Sequence, residues 1–188
     1  MALTTLDPTA ALVVIDLQKG IVSAHTDSAA TAAVARATRL ADAFRQHDLP
    51  VVLVNVTGRA PGRTDNGGSA STFALPDGWA DLIDELDVRP TDHLITKRRR
   101  SAFHDTGLDT LLRDLGVTQV VLAGISTSSG VESTARSASD HGYHVVLATD
   151  AMSDPAADAH RHSVERIFPK LGETATTAEV VTMVEETR

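Results

Sequence analysis

Five short runs rich in β-branched residues, separated by longer stretches that carry helical signals, constrain the fold of this chain more than any other feature. They are Ala11 to Asp16, Val51 to Val56, His93 to Lys97, Gln119 to Gly124 and Val145 to Asp150, with a weaker sixth near Glu173 to Thr176. Each reads as a strand buried on both faces. Between them, Ser28 to His47 places Val34, Ala37, Leu40, Ala41 and Phe44 on one helical stripe. Thr106 to Asp109 has the pattern of a capping box ahead of Leu111, Leu112 and Leu115, with Gly116 as the stop. Gly142 is expected to end a later helix in the same way, and Asp154-Pro155 reads as a cap followed by proline in the first turn. Strands alternating with helices imply a parallel sheet with helices on both faces, a three-layer α/β fold. With 188 residues, no internal repeat and no low-complexity linker, a single domain is expected.

Composition removes several function classes. The net charge of −8 opposes a nucleic-acid partner, since phosphate binding needs a basic surface. The local exception, Lys97 to Arg100, reads as a solvated basic patch apart from Lys97 itself, which ends a strand. No apolar run approaches the ~20 residues of a spanning helix, and the first residues show no secretory signal, so a cytoplasmic protein without membrane contact is expected. The absence of cysteine rules out disulfides, thiolate metal sites and a cysteine nucleophile together.

In a parallel α/β sheet, ligands bind beyond the carboxyl ends of the strands. That rule selects Asp16 and Gln18 after the first strand, Asn55 to Arg59 after the second, Lys97 at the end of the third, and Gly124 to Gly130 after the fourth. An aspartate ending an apolar strand is costly to bury unpaired, and Lys97 is its natural partner. On position alone, a structural ion pair and a catalytic pair are both open. The stretch GISTSSGVESTA, residues 124–135, is a hydroxyl-rich strand-to-helix turn, which serves as an ordinary cap or as an anion-binding surface of backbone amides.

Taken together, Asp16 within VVIDLQ, Lys97 within LITKRRRSAF, and the stretch VVLAGISTSSGVESTARSASDHGYHVVLATDAM resemble the isochorismatase-like (cysteine hydrolase) superfamily, which includes nicotinamidases, N-carbamoyl amidases and isochorismatases. The resemblance runs from about Leu12 to Val181. It implies a Rossmann-like sheet of six parallel strands and a triad of Asp, Lys and Cys, with Asp16 and Lys97 at the first two places. The motif G-x-x-T-x-x-C-V falls on Gly124, Thr127, Gly130 and Val131, so Gly130 stands where the nucleophilic cysteine belongs. The resemblance also implies a cis peptide between Ile125 and Ser126 that aims the amides of Ser126 and Gly130 at a substrate, as an oxyanion hole does. It further implies a homo-oligomer.

Nicotinamidase-like members bind a metal through an Asp-x-His pair after the second strand. Here that place reads Asn55-Val-Thr57, so no metal or other cofactor is expected. His160 and His162, two apart in a helical segment, diverge and read as surface or capping residues. Without a thiol, one reading makes Asp16 a general acid that protonates an enol or vinyl ether, with Lys97, Gln18, Arg59 and Arg63 holding a small carboxylate-bearing substrate and Ser126 and Thr127 lining its site. True isochorismatases also carry glycine at this place. A second reading uses Ser128 or Ser129 as a displaced nucleophile for amide hydrolysis, and a third makes the chain a binding protein in which Asp16 and Lys97 only balance each other.

Overall fold

The computed structural model describes residues 3–25, 27–65 and 75–187. Six strands form one sheet: β1 (Ala10–Ile15), β2 (Val51–Val56), β3 (His93–Lys97), β4 (Gln119–Ile125), β5 (His144–Ser153) and β6 (Glu173–Ala175). All pairings are parallel and the order is β3-β2-β1-β4-β5-β6, so the chain builds outward from β1 to one edge and then crosses back to fill the other side. Six α-helices are α1 (Lys19–Val22), α2 (Ser28–Gln46), α3 (Leu108–Asp114), α4 (Glu132–Asp140), α5 (Ala157–His162) and α6 (Thr177–Glu186). A crossover that reverses direction between β1 and β4 leaves a crevice at their carboxyl ends.

The fully buried β1 shows how the three layers arise. Ala10, Leu12 and Val14 pack into a core with α2 and α6, through Val34, Ala37, Leu40, Phe44, Val180 and Val184. Ala11, Val13 and Ile15 alternate onto the opposite face, against Leu108 and Leu112 of α3 and Ala135 and Ala138 of α4. Apolar residues in unbroken succession are therefore required of a strand that feeds two cores. The expected stripe of α2 is buried throughout, and Gly116 and Gly142 follow α3 and α4 with φ of 68° and 84°. No helix among the described residues is long and apolar enough to cross a membrane.

Local expectations fail where a side chain has a tertiary partner. The capping box at Thr106 does not form: Gly107 holds the cap position, the Thr106 hydroxyl donates to the Ala102 carbonyl, and the Asp109 carboxylate accepts from the Tyr143 hydroxyl at 2.7 Å. Asp154 does not cap α5, whose N-cap is Ala156. Its Oδ2 instead accepts from the backbone N–H and the hydroxyl of Ser128, at 2.8 and 2.7 Å. A capping box does form at α6, between Thr176 and Glu179, where the sequence reading extended the last strand.

One glycine is fixed by a close approach. Gly124, at φ 121°, lies against β1 so tightly that a Cβ there would stand 2.1 Å from the Ile15 carbonyl oxygen. A side chain at this point would force β1 and β4 apart beside the crevice. Gly124→Ala is expected to lower stability by at least about 3 kcal/mol, combining overpacking with left-handed backbone strain. Urea denaturation checks this, as a lowered midpoint with an unchanged slope.

Candidate active site

At the carboxyl end of β1 the backbone turns sharply, with Asp16 at φ 54° and its N–H bonded to the Val54 carbonyl of β2. Left-handed backbone costs a non-glycine residue roughly 1–2 kcal/mol, and aspartate tolerates it better than most. Lys97 reaches across the end of β2 from the edge strand β3, and its Nζ stands 2.7 Å from Asp16 Oδ2. The same ammonium donates to the Arg100 carbonyl at 2.9 Å. Both side chains are nearly sealed, with relative exposures of 6% for Asp16 and 2% for Lys97. Asp16 Oδ1 has no hydrogen-bond partner among the described residues. Burial pushes the Asp16 carboxyl up from its ordinary 3.8 to about 6, against the opposing pull of the Lys97 charge and hydrogen bond. The desolvation cost outweighs the ion pair, which leaves a carboxyl able to hold a proton near neutrality.

Gly130 sits directly on this pair. A Cβ at that position would stand 3.0 Å from Asp16 Oδ2 and 3.3 Å from Lys97 Nζ. Asp16 after β1, Lys97 at the end of β3 and Gly130 in the turn after β4 thus meet at one point. The peptide between Ile125 and Ser126 is cis, as the motif implied. The turn Thr127–Val131 has π-helical hydrogen bonding and runs straight into α4. The three converging residues open onto a pocket of about 420 Å³, whose walls include Ile21, Val56, Arg59, Ser126 and Ser129.

The remaining candidates divide. Ser126, Ser129 and Arg59 line the pocket, whereas Arg63 lies exposed outside it, between lining residues Gly62 and Thr64. Gln18 is not a wall residue either. Its buried amide accepts from the Val56 N–H at 2.7 Å and donates to the Val56 and Trp79 carbonyls, tying β1 to β2 and the following segment. Thr127 is buried and turned away, its hydroxyl 2.8 Å from His160 Nδ1. Ser128 is not a wall residue, and its N–H and hydroxyl both donate to Asp154.

Ile21, Ala60, Gly62 and Thr64 line the pocket without any sequence signal, and two arginines line it that the sequence places in a basic patch. Arg99 and Arg100 belong to the pocket wall, not to a detached basic surface. The Arg99 guanidinium donates to the carbonyls of Arg59 and Arg98, while the Arg100 carbonyl steadies Lys97. The signal was their proximity to a strand-terminal lysine. His160 is likewise half-buried rather than superficial, and its burial holds the imidazole below its usual pKa although Asp154 pulls the other way. Asn55, at the place of the metal-binding pair, donates its amide to the Ala80 carbonyl. Among the described residues no three His, Cys, Asp or Glu side chains gather in a way that would hold a metal ion.

Comparison with known proteins bears on the family of the chain. Residues 10–179 match the Isochorismatase domain. The isochorismatase family protein YwoC of Bacillus subtilis (strain 168) is 38% identical over 179 residues, covering 93% of each chain. The ureidoacrylate amidohydrolase RutB of Pantoea ananatis is 33% identical, over 84% of this chain and 76% of its own length. The structure of an isochorismatase family protein from Burkholderia thailandensis superposes with a TM-score of 0.90 at 41% identity, over 96% of this chain and 98% of that one. The chain therefore belongs to the isochorismatase family of hydrolases.

Proposed function

We propose that this hydrolase acts on a small carboxylate-bearing enol ether, with Asp16 as general acid and water as nucleophile. The observation that carries the reading is the Asp16 carboxyl itself. It is buried, pushed up to about 6, and lies beside Gly130, the position that the motif resemblance assigns to a thiol nucleophile. With no cysteine in the chain, a thioester route is closed.

In this reaction the Asp16 hydroxyl protonates the terminal carbon of the enol ether and leaves an oxocarbenium ion. Water adds to the cationic carbon and returns a proton to the Asp16 carboxylate. The resulting hemiketal then breaks into a ketone and an alcohol. Lys97, held 2.7 Å from Asp16, stabilises the carboxylate at the moment its proton leaves. Arg59, Arg99 and Arg100 give the wall a positive character suited to a substrate carboxylate, Arg being able to bind one through two parallel hydrogen bonds. Ser126 and Gly130 border the same space, where their backbone N–H groups are placed to donate to a substrate carboxylate oxygen.

Amide hydrolysis is the second reading. It draws on Ser129, which lines the pocket, and on the ureidoacrylate amidohydrolases among the relatives. Parallel assays of pyruvate release from isochorismate and ammonia release from ureidoacrylate and nicotinamide separate the two. Turnover confined to ammonia release would replace the favoured reading by the second.

Asp16→Asn keeps the shape of the side chain and removes its acid. Turnover is expected to fall by about 10²- to 10⁴-fold, with KM little changed and the melting temperature within a few degrees. A variant that melts much lower yet keeps its specific activity would make Asp16 a purely structural counter-ion. The pH profile provides an independent check. The reactive form is the protonated one, so kcat/KM should decline about tenfold per unit above pH ~6. The raised pKa also means that ionising Asp16 costs stability. The folded state binds more protons than the unfolded chain between 3.8 and about 6, so stability falls as pH rises through that window.

A further inference from the structure

In the turn between the cis peptide and Gly130, Ser126 and Ser129 line the pocket, whereas Thr127 and Ser128 do not and are met by a separate segment. The Thr127 hydroxyl, fully buried, shares a hydrogen bond of 2.8 Å with His160 Nδ1 of α5. Ser128 gives both its N–H and its hydroxyl to Asp154 Oδ2. Asp154 in turn accepts from the Ala156 N–H at 3.1 Å with its other oxygen, which fixes it at the start of the α5 connection. One turn further on, Glu132 accepts from the Ser163 hydroxyl at 2.7 Å. Residues 154–163 therefore grip residues 127–132 at three successive points, on the side away from Asp16 and Lys97.

The residues of α5 bury no side chain themselves, but the helical segment continues directly through Ser163–Ile167 to Phe168, where Val164, Ile167 and Phe168 pack into the second core. The three polar bonds therefore tie the turn to a segment that is itself anchored in the core, an arrangement suited to holding that turn still.

We propose that His160 is a positioning residue of the active site, acting through Thr127 to fix the backbone of Ser126 and Gly130 over Asp16 and Lys97, with Asp154 as the second clamp through Ser128. The inference rests on the hydrolase reading of the pocket. Its physical basis is the sensitivity of catalysis to placement: moving a reacting or stabilising group by about 1 Å reduces rate by as much as 10²-fold without removing any group that touches substrate. Burial supports the role by keeping the imidazole neutral, so that one hydrogen bond to Thr127 satisfies a hydroxyl that has no water to turn to.

The test compares wild-type protein with His160→Ala, His160→Asn and Thr127→Val, each checked for native melting. Asparagine can present a polar group near the place of Nδ1. Valine removes the Thr127 hydroxyl at nearly constant volume and carries the test if the alanine variant does not fold. The folded alanine or valine variant is expected to lose ten- to a hundredfold in kcat with KM within twofold, and to shift the Ser126 and Gly130 amide resonances in ¹⁵N-resolved NMR spectra. His160→Asn should restore most of both. A folded His160→Ala or Thr127→Val protein with kcat within twofold of wild type and unmoved amides would overturn the proposal. If the wild-type chain turns over none of the assayed substrates, the reading of the pocket falls, and the amide resonances alone decide. Displacement reversed by asparagine then supports the grip, and unmoved resonances refute it.

Discussion

The buried pair of Asp16 and Lys97 is the interaction around which the carboxyl end of the sheet is arranged. Placing an ammonium and a carboxylate where exposures are 2% and 6% is costly, and the 2.7 Å contact recovers only part of that cost. The imbalance is visible in the carboxyl, which stays near 6 even beside a cation. Apolar side chains of similar volume often match or exceed a buried ion pair in stability, so the presence of this one beside an open pocket argues for chemistry.

Several otherwise separate features follow from keeping that pair in register. Lys97 must cross β2 from the sheet edge, and the Arg100 carbonyl supplies the second acceptor that steadies it. Asp16 must leave β1 in a left-handed turn, and Gln18 then ties the chain back onto Val56. Gly124 lets β4 approach β1 closely enough for the following turn to reach Asp16, and Gly130 leaves no side chain between the turn and the pair. The pocket is the space that remains beyond these constraints. Its arginines lie within a few residues of the same lysine or on the segment after β2.

Much of this was legible in the sequence because the underlying signals are local and periodic. Strand positions came from apolar runs whose burial on both faces leaves little choice, strand ends pointed to Asp16, Lys97 and the stretch from Gly124 to Gly130, and the motif resemblance singled out Gly130 within it. The misreadings share a physical cause, which is competition for a polar side chain. Thr106, Asp109 and Asp154 all have good capping chemistry, yet each is engaged by a partner distant in the fold or outside the expected cap. Gln18 and Thr127 were assigned to the substrate site by position, but the direction of a side chain at a strand end depends on which neighbour it meets, here Val56 and His160. Arg99 and Arg100 were hidden by resembling an ordinary charged surface. Their place along the pocket wall depends on how the chain turns after β3, which no periodicity encodes.

The central claim is that burial keeps the Asp16 carboxyl in a range where it can deliver a proton. It is tested most directly by following the ¹³C resonance of that carboxyl as a function of pH, assigned by its disappearance in Asp16→Asn. The account predicts a titration midpoint near 6. A midpoint at or below the ordinary 3.8 would show that Lys97 holds the group ionised throughout, and would contradict the acid role on which the mechanism stands.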